Sequence, residues 1–315
     1  MEAQPSYKLS VIIPVYNSEP CLEELYSRLV ESLGKVARLD DYEIIMVDDG
    51  SRDGSWDVVS ALARRDPRLR GIQLSRNYGQ HNALLRGIRA ARHELIMTID
   101  DDLQHPPESI PEVLDHFTPQ IDVLYITPDK QQHGLGRDLA SSITKWTLRS
   151  SMGVDVASQV SAWRVLRTSL RDAFRDYENS FVSIDVLLTW GTTRFAALAM
   201  PHASRAAGKS NYSVRKLIVH AMNMMTGFST LPLQLASLIG FGFTLFGGCV
   251  LAYVIGRYLI QGTSVPGFPF LASIIAIFSG AQLFALGIIG EYLARMHFRT
   301  MGRPSSVVRE HTGQG

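Results

Sequence analysis

The sequence predicts an α/β protein: a mostly parallel sheet with flanking helices, followed by interfacial helices and a two-helix transmembrane hairpin. Three observations carry this expectation. Short apolar runs alternate with helical patterns in the first half of the chain. Charged residues make up 19% of the chain, yet between Ala221 and Gly290 only Arg257 carries a full charge. Two of the apolar runs end in acidic residues, and open α/β sheets bind ligands beyond the carboxyl ends of their strands.

The 315 residues suffice for roughly two domains and a sizeable core. A hydrophobic content of 46% excludes disorder. A net charge of +1 argues against nucleic acid as a partner. Two cysteines, Cys21 and Cys249, cannot build a disulfide framework and read as unpaired residues of a reducing compartment. The first residues lack the basic and apolar regions of a secretory signal. The globular part is therefore expected in the cytosol.

Strands are expected at Leu9–Pro14, Glu43–Asp48, Gly71–Leu74 and Leu95–Ile99, as β-branched or apolar runs. Helical patterns lie between them, near Cys21–Val36, Trp56–Arg65 and Asn82–Arg92. Ser51 and Asp53 are candidate caps of the second helix. This alternation implies βαβ units and a mostly parallel sheet.

The charge-poor tract resolves into spans at Leu233–Ile260 and Phe268–Tyr292, each longer than the ~20 residues that cross a bilayer. Arg215 and Lys216 precede the pair and Arg295, Arg299 and Arg303 follow it, while the loop Gln261–Gly267 is neutral. The positive-inside rule then puts both flanks on the cytoplasmic side of the inner membrane. The expected division is a globular domain over 1–211, a juxtamembrane amphipathic region over 212–232, the hairpin over 233–292 and a tail over 293–315. Ser213–Thr226 suits a helix lying along the membrane interface. Gly248, Ala252 and Gly256 form a small-residue face, fit either to hold the hairpin together or to build a homo-oligomer.

The acidic strand ends are Val47-Asp48-Asp49-Gly50-Ser51 and Ile99-Asp100-Asp101-Asp102-Leu103-Gln104. Three consecutive carboxylates repel one another, and Mg²⁺ or Mn²⁺ is the simplest counter-charge. Alternate side chains of an extended segment share a face, so Asp100 and Asp102 would point together, with Gln104 beside them if the extension continues. The same residues also suit a solvated loop whose last Asp, or Ser109, caps the next helix. Spacing alone leaves the two readings level. His81 reads as packing near a helix start, and His105 lies beside Gln104.

Four motifs stand in order: Val11-Ile-Ile-Pro14-Val-Tyr16-Asn17, Val47-Asp-Asp-Gly-Ser51, Ser75-Arg-Asn-Tyr-Gly-Gln-His81 and Asp100-Asp-Asp-Leu-Gln104-His-Pro-Pro-Glu108. Arg205-Ala-Ala-Gly-Lys209-Ser-Asn-Tyr212, Phe228–Leu233, Gly290-Glu-Tyr292 and Arg303-Pro304 continue the series through both spans. Together they resemble the family 2 glycosyltransferases of GT-A (Rossmann-like) fold. More narrowly they resemble the polyprenyl-phosphate glycosyltransferases, the group of dolichol-phosphate mannose synthase, the bactoprenol glucosyltransferases and the undecaprenyl-phosphate aminoarabinose transferases. Arg76–His81 leans toward the last of these.

The resemblance implies a nucleotide-sugar donor, UDP-linked, and a polyprenyl phosphate acceptor such as undecaprenyl phosphate, held at a lipid bilayer. It implies that Pro14, Tyr16, Asp48, Asp49, Asp100 and Asp101 bind the nucleotide. Asp100, Asp102 and Gln104 match a metal and diphosphate site, with Asp102 catalytic and Mg²⁺ or Mn²⁺ as cofactor. Arg205, Lys209 and Ser210 match a basic loop that closes over phosphates, with Arg205 and Lys209 catalytic. Lys130, Arg137 and Ser210 are the candidate contacts of the acceptor phosphate. The chain departs from the family pattern at Ser18, where Glu is usual, at Asp101, where Ala is common, at Ser158, where many members have Asp, and at Asn211, where Lys is frequent. Two other readings compete. A processive polysaccharide synthase needs more spans and a Gln-x-x-Arg-Trp motif, which this sequence lacks. A non-catalytic membrane scaffold would keep a nucleotide-binding fold without transfer.

Overall fold

The computed structural model describes residues 6–128, 160–179, 182–200, 231–261, 267–302 and 304–313. They form two units, one of residues 1–217 with 302–315, the other of residues 218–301.

The first unit is built on β1 (Tyr7–Val15), β2 (Leu39–Asp48), β3 (Leu69–Leu74), β4 (Leu95–Thr98), β5 (Val123–Pro128), β6 (Arg164–Arg167), β7 (Phe195–Met200) and β8 (Val308–Thr312). Its helices are α1 (Glu19–Leu33), α2 (Ser55–Arg65), α3 (Gln80–Ala90), α4 (Ile110–His116) and α5 (Ile184–Thr189). The strand order is β7-β5-β6-β4-β1-β2-β3-β8. β1 pairs in parallel with β2 and β4, and β2 with β3. β6 and β8 run antiparallel to their neighbours.

The expected strands are therefore present in a mostly parallel sheet. The reason is burial: Val11, Ile12, Ile13, Ile44, Ile45, Met46 and Met97 have no exposed surface. Near-continuous apolar runs are what a sheet covered on both faces requires. Leu22, Leu25 and Leu29 pack α1 on the same core. The chain runs from β1 through β2 to β3, then crosses back to place β4 on the other side of β1. That reversal is the topological switch point, and the crevice beyond the ends of β1 and β4 is where such sheets bind ligands.

Two features differ from the sequence expectation. Residues expected as a tail supply β8, an antiparallel edge strand on β3. Its sequence, VREHT, has only intermediate or exposed positions, so it has none of the apolar alternation that marks a buried strand. The extension assumed for Asp100–Gln104 also fails, because Leu103 has φ 59 and turns the segment back.

The second unit is a pair of helices, α6 (Leu231–Gln261) and α7 (Phe268–Thr300). Both contain segments long and apolar enough to cross a membrane, Pro232–Ile260 and Ile277–His297. Phe243 meets Phe278 edge-on at 5.8 Å, and the Phe278 ring lies where a side chain on Gly247 would begin, 2.8 Å away. A side chain on Gly248 or Gly256 would meet no described atom within 4 Å. The described contact between the two helices thus runs through Gly247 rather than through the Gly248–Gly256 face.

Candidate active site

Three loops meet at the switch point: the one after β1, the one after β2 and the one after β4. Tyr16 N donates to Asp101 Oδ2 at 3.1 Å, and Ser18 Oγ donates to the same oxygen at 2.5 Å. Asn17 takes φ 55, a left-handed conformation that Asn tolerates better than most residues. There its amide donates to Ser51 Oγ at 3.0 Å, and its Oδ1 accepts from Arg52 N at 2.8 Å. Asp53 Oδ1 accepts from both the amide and the hydroxyl of Ser55, the first residue of α2, whose N-cap position is taken by Gly54. Ser51 braces the β1 loop.

The acids at the end of β2 separate. Asp48 has no exposed surface; its carboxylate accepts from Ser51 N at 3.1 Å and Gln73 Nε2 at 3.2 Å. It does not line the cavity at this site. Asp49 does. Its two oxygens accept the amides of Tyr78 and Gly79 at 2.7 and 2.8 Å. Burial pushes the Asp49 carboxyl up to about 6, against the lowering effect of those two amides, and the neighbouring Asp48 adds to the rise.

The cavity measures about 280 Å³ and is lined by Pro14, Tyr16, Asn77, Gly79 and Gln80 together with Asp49, Asp100, Asp101 and Asp102. Gln80 Nε2 donates to Asp100 Oδ1 at 2.7 Å. Asp102 Oδ1 accepts from Gln104 N at 3.2 Å, so the last acid closes the turn at Leu103. Ser109 makes no capping hydrogen bond at α4. Gln104 is not among the cavity's lining residues, because the left-handed Leu103 breaks the alternation that would have put it beside Asp100 and Asp102. Burial raises the Asp101 carboxyl, and the bonds from Ser18 and Tyr16 oppose that rise. Asn77 and Gln80 were visible as parts of a motif, although nothing in the sequence assigned them a place in the site.

Both histidines have structural partners. His81 Nδ1 accepts from Ile184 N at 3.3 Å, tying α3 to α5. His105 is buried against Trp163, with ring centroids 5.3 Å apart. Lys130, Arg137, Arg205, Lys209 and Ser210 lie outside the described residues, as do Ser158, Asn211 and Ser213–Thr226.

The model of Glycosyl transferase family 2 matches residues 10–181, which include all three of these loops. The chain belongs to that family. Over 96% of its length it is 34% identical to the undecaprenyl-phosphate 4-deoxy-4-formamido-L-arabinose transferases of Pseudomonas paraeruginosa and Shewanella sediminis, covering 90% and 92% of those proteins. Glucosyl-3-phosphoglycerate synthase from Mycobacterium tuberculosis, in complex with Mn²⁺, UDP-glucose and phosphoglyceric acid, is similar in fold, with a TM-score of 0.50 and 19% identity. That likeness covers 70% of this chain and 78% of the other. The fold of this glycosyltransferase is the expected GT-A arrangement.

The chemistry of the cavity follows from its charge. Four carboxylates line it, and no Lys, Arg or His is among its described lining residues. Such a site repels an anion unless a cation accompanies it. Asp100 and Asp102 supply oxygen ligands of the kind Mg²⁺ and Mn²⁺ take, one or two carboxylates with the remaining positions left to substrate phosphates and water. Among the described residues no three His, Cys, Asp or Glu side chains gather as a complete ligand set. The donor set therefore fits a metal shared with a phosphorylated ligand better than a closed structural site.

Proposed function

We propose that this glycosyltransferase moves a single sugar, with inversion, from a UDP-linked donor to a polyprenyl phosphate such as undecaprenyl phosphate. The observation that carries the reading is the cavity at the switch point of the sheet, whose charged lining residues are all acidic. The names of the relatives that match nearly the whole chain supply the acceptor class.

In this reading Asp100 and Asp102 would hold the divalent cation, whose charge would offset that of the donor diphosphate and of the departing nucleoside diphosphate. Pro14, Tyr16 and Asp49 bind the nucleoside, with Asn77 and Gln80 closing the same wall. Asp101 fixes Tyr16 and Ser18 rather than ligating. Arg205 and Lys209 close over the diphosphate, and Lys130, Arg137 and Ser210 receive the acceptor phosphate. A phosphate monoester carries between one and two negative charges near neutral pH, since its second pKa is about 6. Its oxygen attacks the anomeric carbon directly, and the bond from that carbon to the diphosphate oxygen breaks as the new one forms. No protein base is needed, so catalysis reduces to positioning and charge stabilisation.

α6 and α7 cross the inner membrane in this reading, with both flanks cytosolic. Supporting it, the chain on either side of the hairpin belongs to one globular unit, with β8 paired to β3. The test uses purified full-length protein with a short-chain polyprenyl phosphate, Mg²⁺ or Mn²⁺, and a panel of nucleotide sugars. The expected lipid product is heavier by one sugar. A product carrying several sugars would point to a processive synthase, and nucleotide binding without transfer to a scaffold.

A further inference from the structure

The chain that leaves the second apolar helix returns to the wall of the acidic cavity. α7 ends at Thr300, Gly302 turns the backbone at φ 61, and Ser305 is buried. Val307 O then accepts from Ser75 N at 2.9 Å, just before β8 pairs with β3. Ser75 opens the loop that carries Asn77, Gly79 and Gln80 into the cavity. Ser75 Oγ and Tyr78 Oη lie 3.1 Å apart in a second hydrogen bond. Burial raises the Tyr78 hydroxyl's pKa, but the Ser75 hydroxyl and the Arg76 guanidinium outweigh it and hold it below the ordinary tyrosine value. The Arg76 guanidinium sits 4.6 Å over the Tyr78 ring.

The same loop is gripped from its other side. Asp49 takes the amides of Tyr78 and Gly79, and Gly50 lies so close that a side chain on it would come within 2.5 Å of the Arg76 backbone. Residues 75–80 are thus clamped between the end of β2 and a segment far away in sequence that follows the apolar hairpin.

From this geometry we infer that Val307 and Tyr78 are positioning residues of the donor site: the segment after the hairpin sets the cavity wall formed by Asn77, Gly79 and Gln80. The inference rests on reading the cavity as the donor site. A loop held only by Asp49 would sample more conformations, and an ordered binding loop gains affinity by losing less freedom on binding. The clamp therefore acts on donor binding and leaves acceptor binding untouched.

The test compares full-length wild type with Tyr78→Phe, which removes the hydroxyl paired with Ser75 Oγ without altering the backbone, and Ser75→Pro, which removes the amide that donates to Val307 O. Three quantities are read: the dissociation constant for UDP with Mn²⁺, deuterium uptake of the peptide spanning 75–80, and the separate kcat and KM values for donor and acceptor. Each variant is expected to weaken UDP binding about five-fold, the worth of one hydrogen bond. Uptake over 75–80 should quicken, and the acceptor KM should not move. If Ser75→Pro fails to fold, Tyr78→Phe alone decides. Wild-type UDP affinity in Tyr78→Phe overturns the inference, and so does an equal loss of donor and acceptor affinity. Asp49→Ala, measured alongside, separates the two levels: it must weaken UDP binding if the cavity is the donor site at all. If it does so while Tyr78→Phe binds normally, only the clamp fails; if it binds UDP as wild type does, the donor-site reading fails too.

Discussion

Ser18 donates a 2.5 Å hydrogen bond to Asp101 across 83 residues of sequence. Both positions depart from the usual pattern of the family, and the structure makes them each other's partner. Where a Glu is usual the chain has a short hydroxyl, and where an Ala is common it has the carboxylate that receives it. The bond joins the loop after β1 to the loop after β4.

This pairing gives the first prediction. Ser18→Ala leaves Asp101 with the Tyr16 amide as its remaining bond of that pair, and one partner of a part-buried carboxylate is lost. The expected cost is about 1–2 kcal/mol of stability, read as a lower melting temperature, with the donor KM raised several-fold because Tyr16 lines the cavity. Asp101→Ala alone should do more harm than Ser18→Ala. The combined variant should fall short of the sum, since both changes break one bond. Fully additive losses would show that the two side chains act separately.

The carboxylates of the β4 loop divide by role. Asp102→Asn and Asp100→Asn are each expected to lower kcat by about 10²–10³-fold, the scale of losing one element of charge stabilisation in a closed site. Chelation should abolish transfer and added Mg²⁺ or Mn²⁺ restore it. Gln104→Ala should be milder, because Gln104 is not among the cavity's lining residues. Full transfer by Asp102→Asn at saturating metal would remove this acid from the mechanism.

Much of this site could be read in the sequence, and the part that could not has physical causes. The strands and their acidic ends were visible because buried parallel strands must be apolar until the ligand crevice begins. Consecutive side chains of a strand point to opposite faces, which is why Asp49 faces the cavity while Asp48 is taken up by Ser51 and Gln73. The sequence reading treated them as a pair. Gln104 was misplaced because the left-handed turn at Leu103 has no compositional mark. β8 was missed because an edge strand needs no apolar alternation. Ser18 with Asp101, and Val307 with Ser75, are meetings of distant segments that only the folded chain reveals.

Asp49 sets opposite pH trends for binding and stability. Its carboxyl sits at about 6 in the folded chain, above the 3.8 of an unperturbed Asp. Between those values the folded state holds the proton more tightly than the unfolded one. Its contribution to stability is thus fully present below 3.8, lost as pH rises toward 6, and constant above. Donor affinity should run the other way. If Asp49 binds the nucleoside as proposed, its ionised carboxylate would accept hydrogen bonds from it, so UDP binding should weaken as pH falls through about 6. Nucleotide titrations from pH 5 to 8 check this, and Asp49→Asn should flatten the profile at a lower affinity. A wild-type profile without a step near 6 would exclude Asp49 from nucleoside binding.

Neither member of the buried pair of Arg164 and Asp185 is among the residues that line the cavity. Arg164 Nη1 bonds to Asp185 Oδ1, and Tyr125 Oη donates to the same oxygen at 3.1 Å. Both charged side chains are nearly inaccessible, at 2% and 8% exposed. Asp185→Ala would strand a buried guanidinium and remove the acceptor of Tyr125 together, and should cost about 3–5 kcal/mol. Arg164→Met combined with Asp185→Leu removes both charges at similar volume and should be much less harmful than either single change. Denaturant unfolding of the full-length protein measures the difference. Transfer activity per folded molecule should stay near wild type in the double variant, because neither residue reaches the cavity at the ends of β1 and β4. A double variant as unstable as Asp185→Ala would mean that the pair contributes net stability rather than merely cancelling its own burial cost.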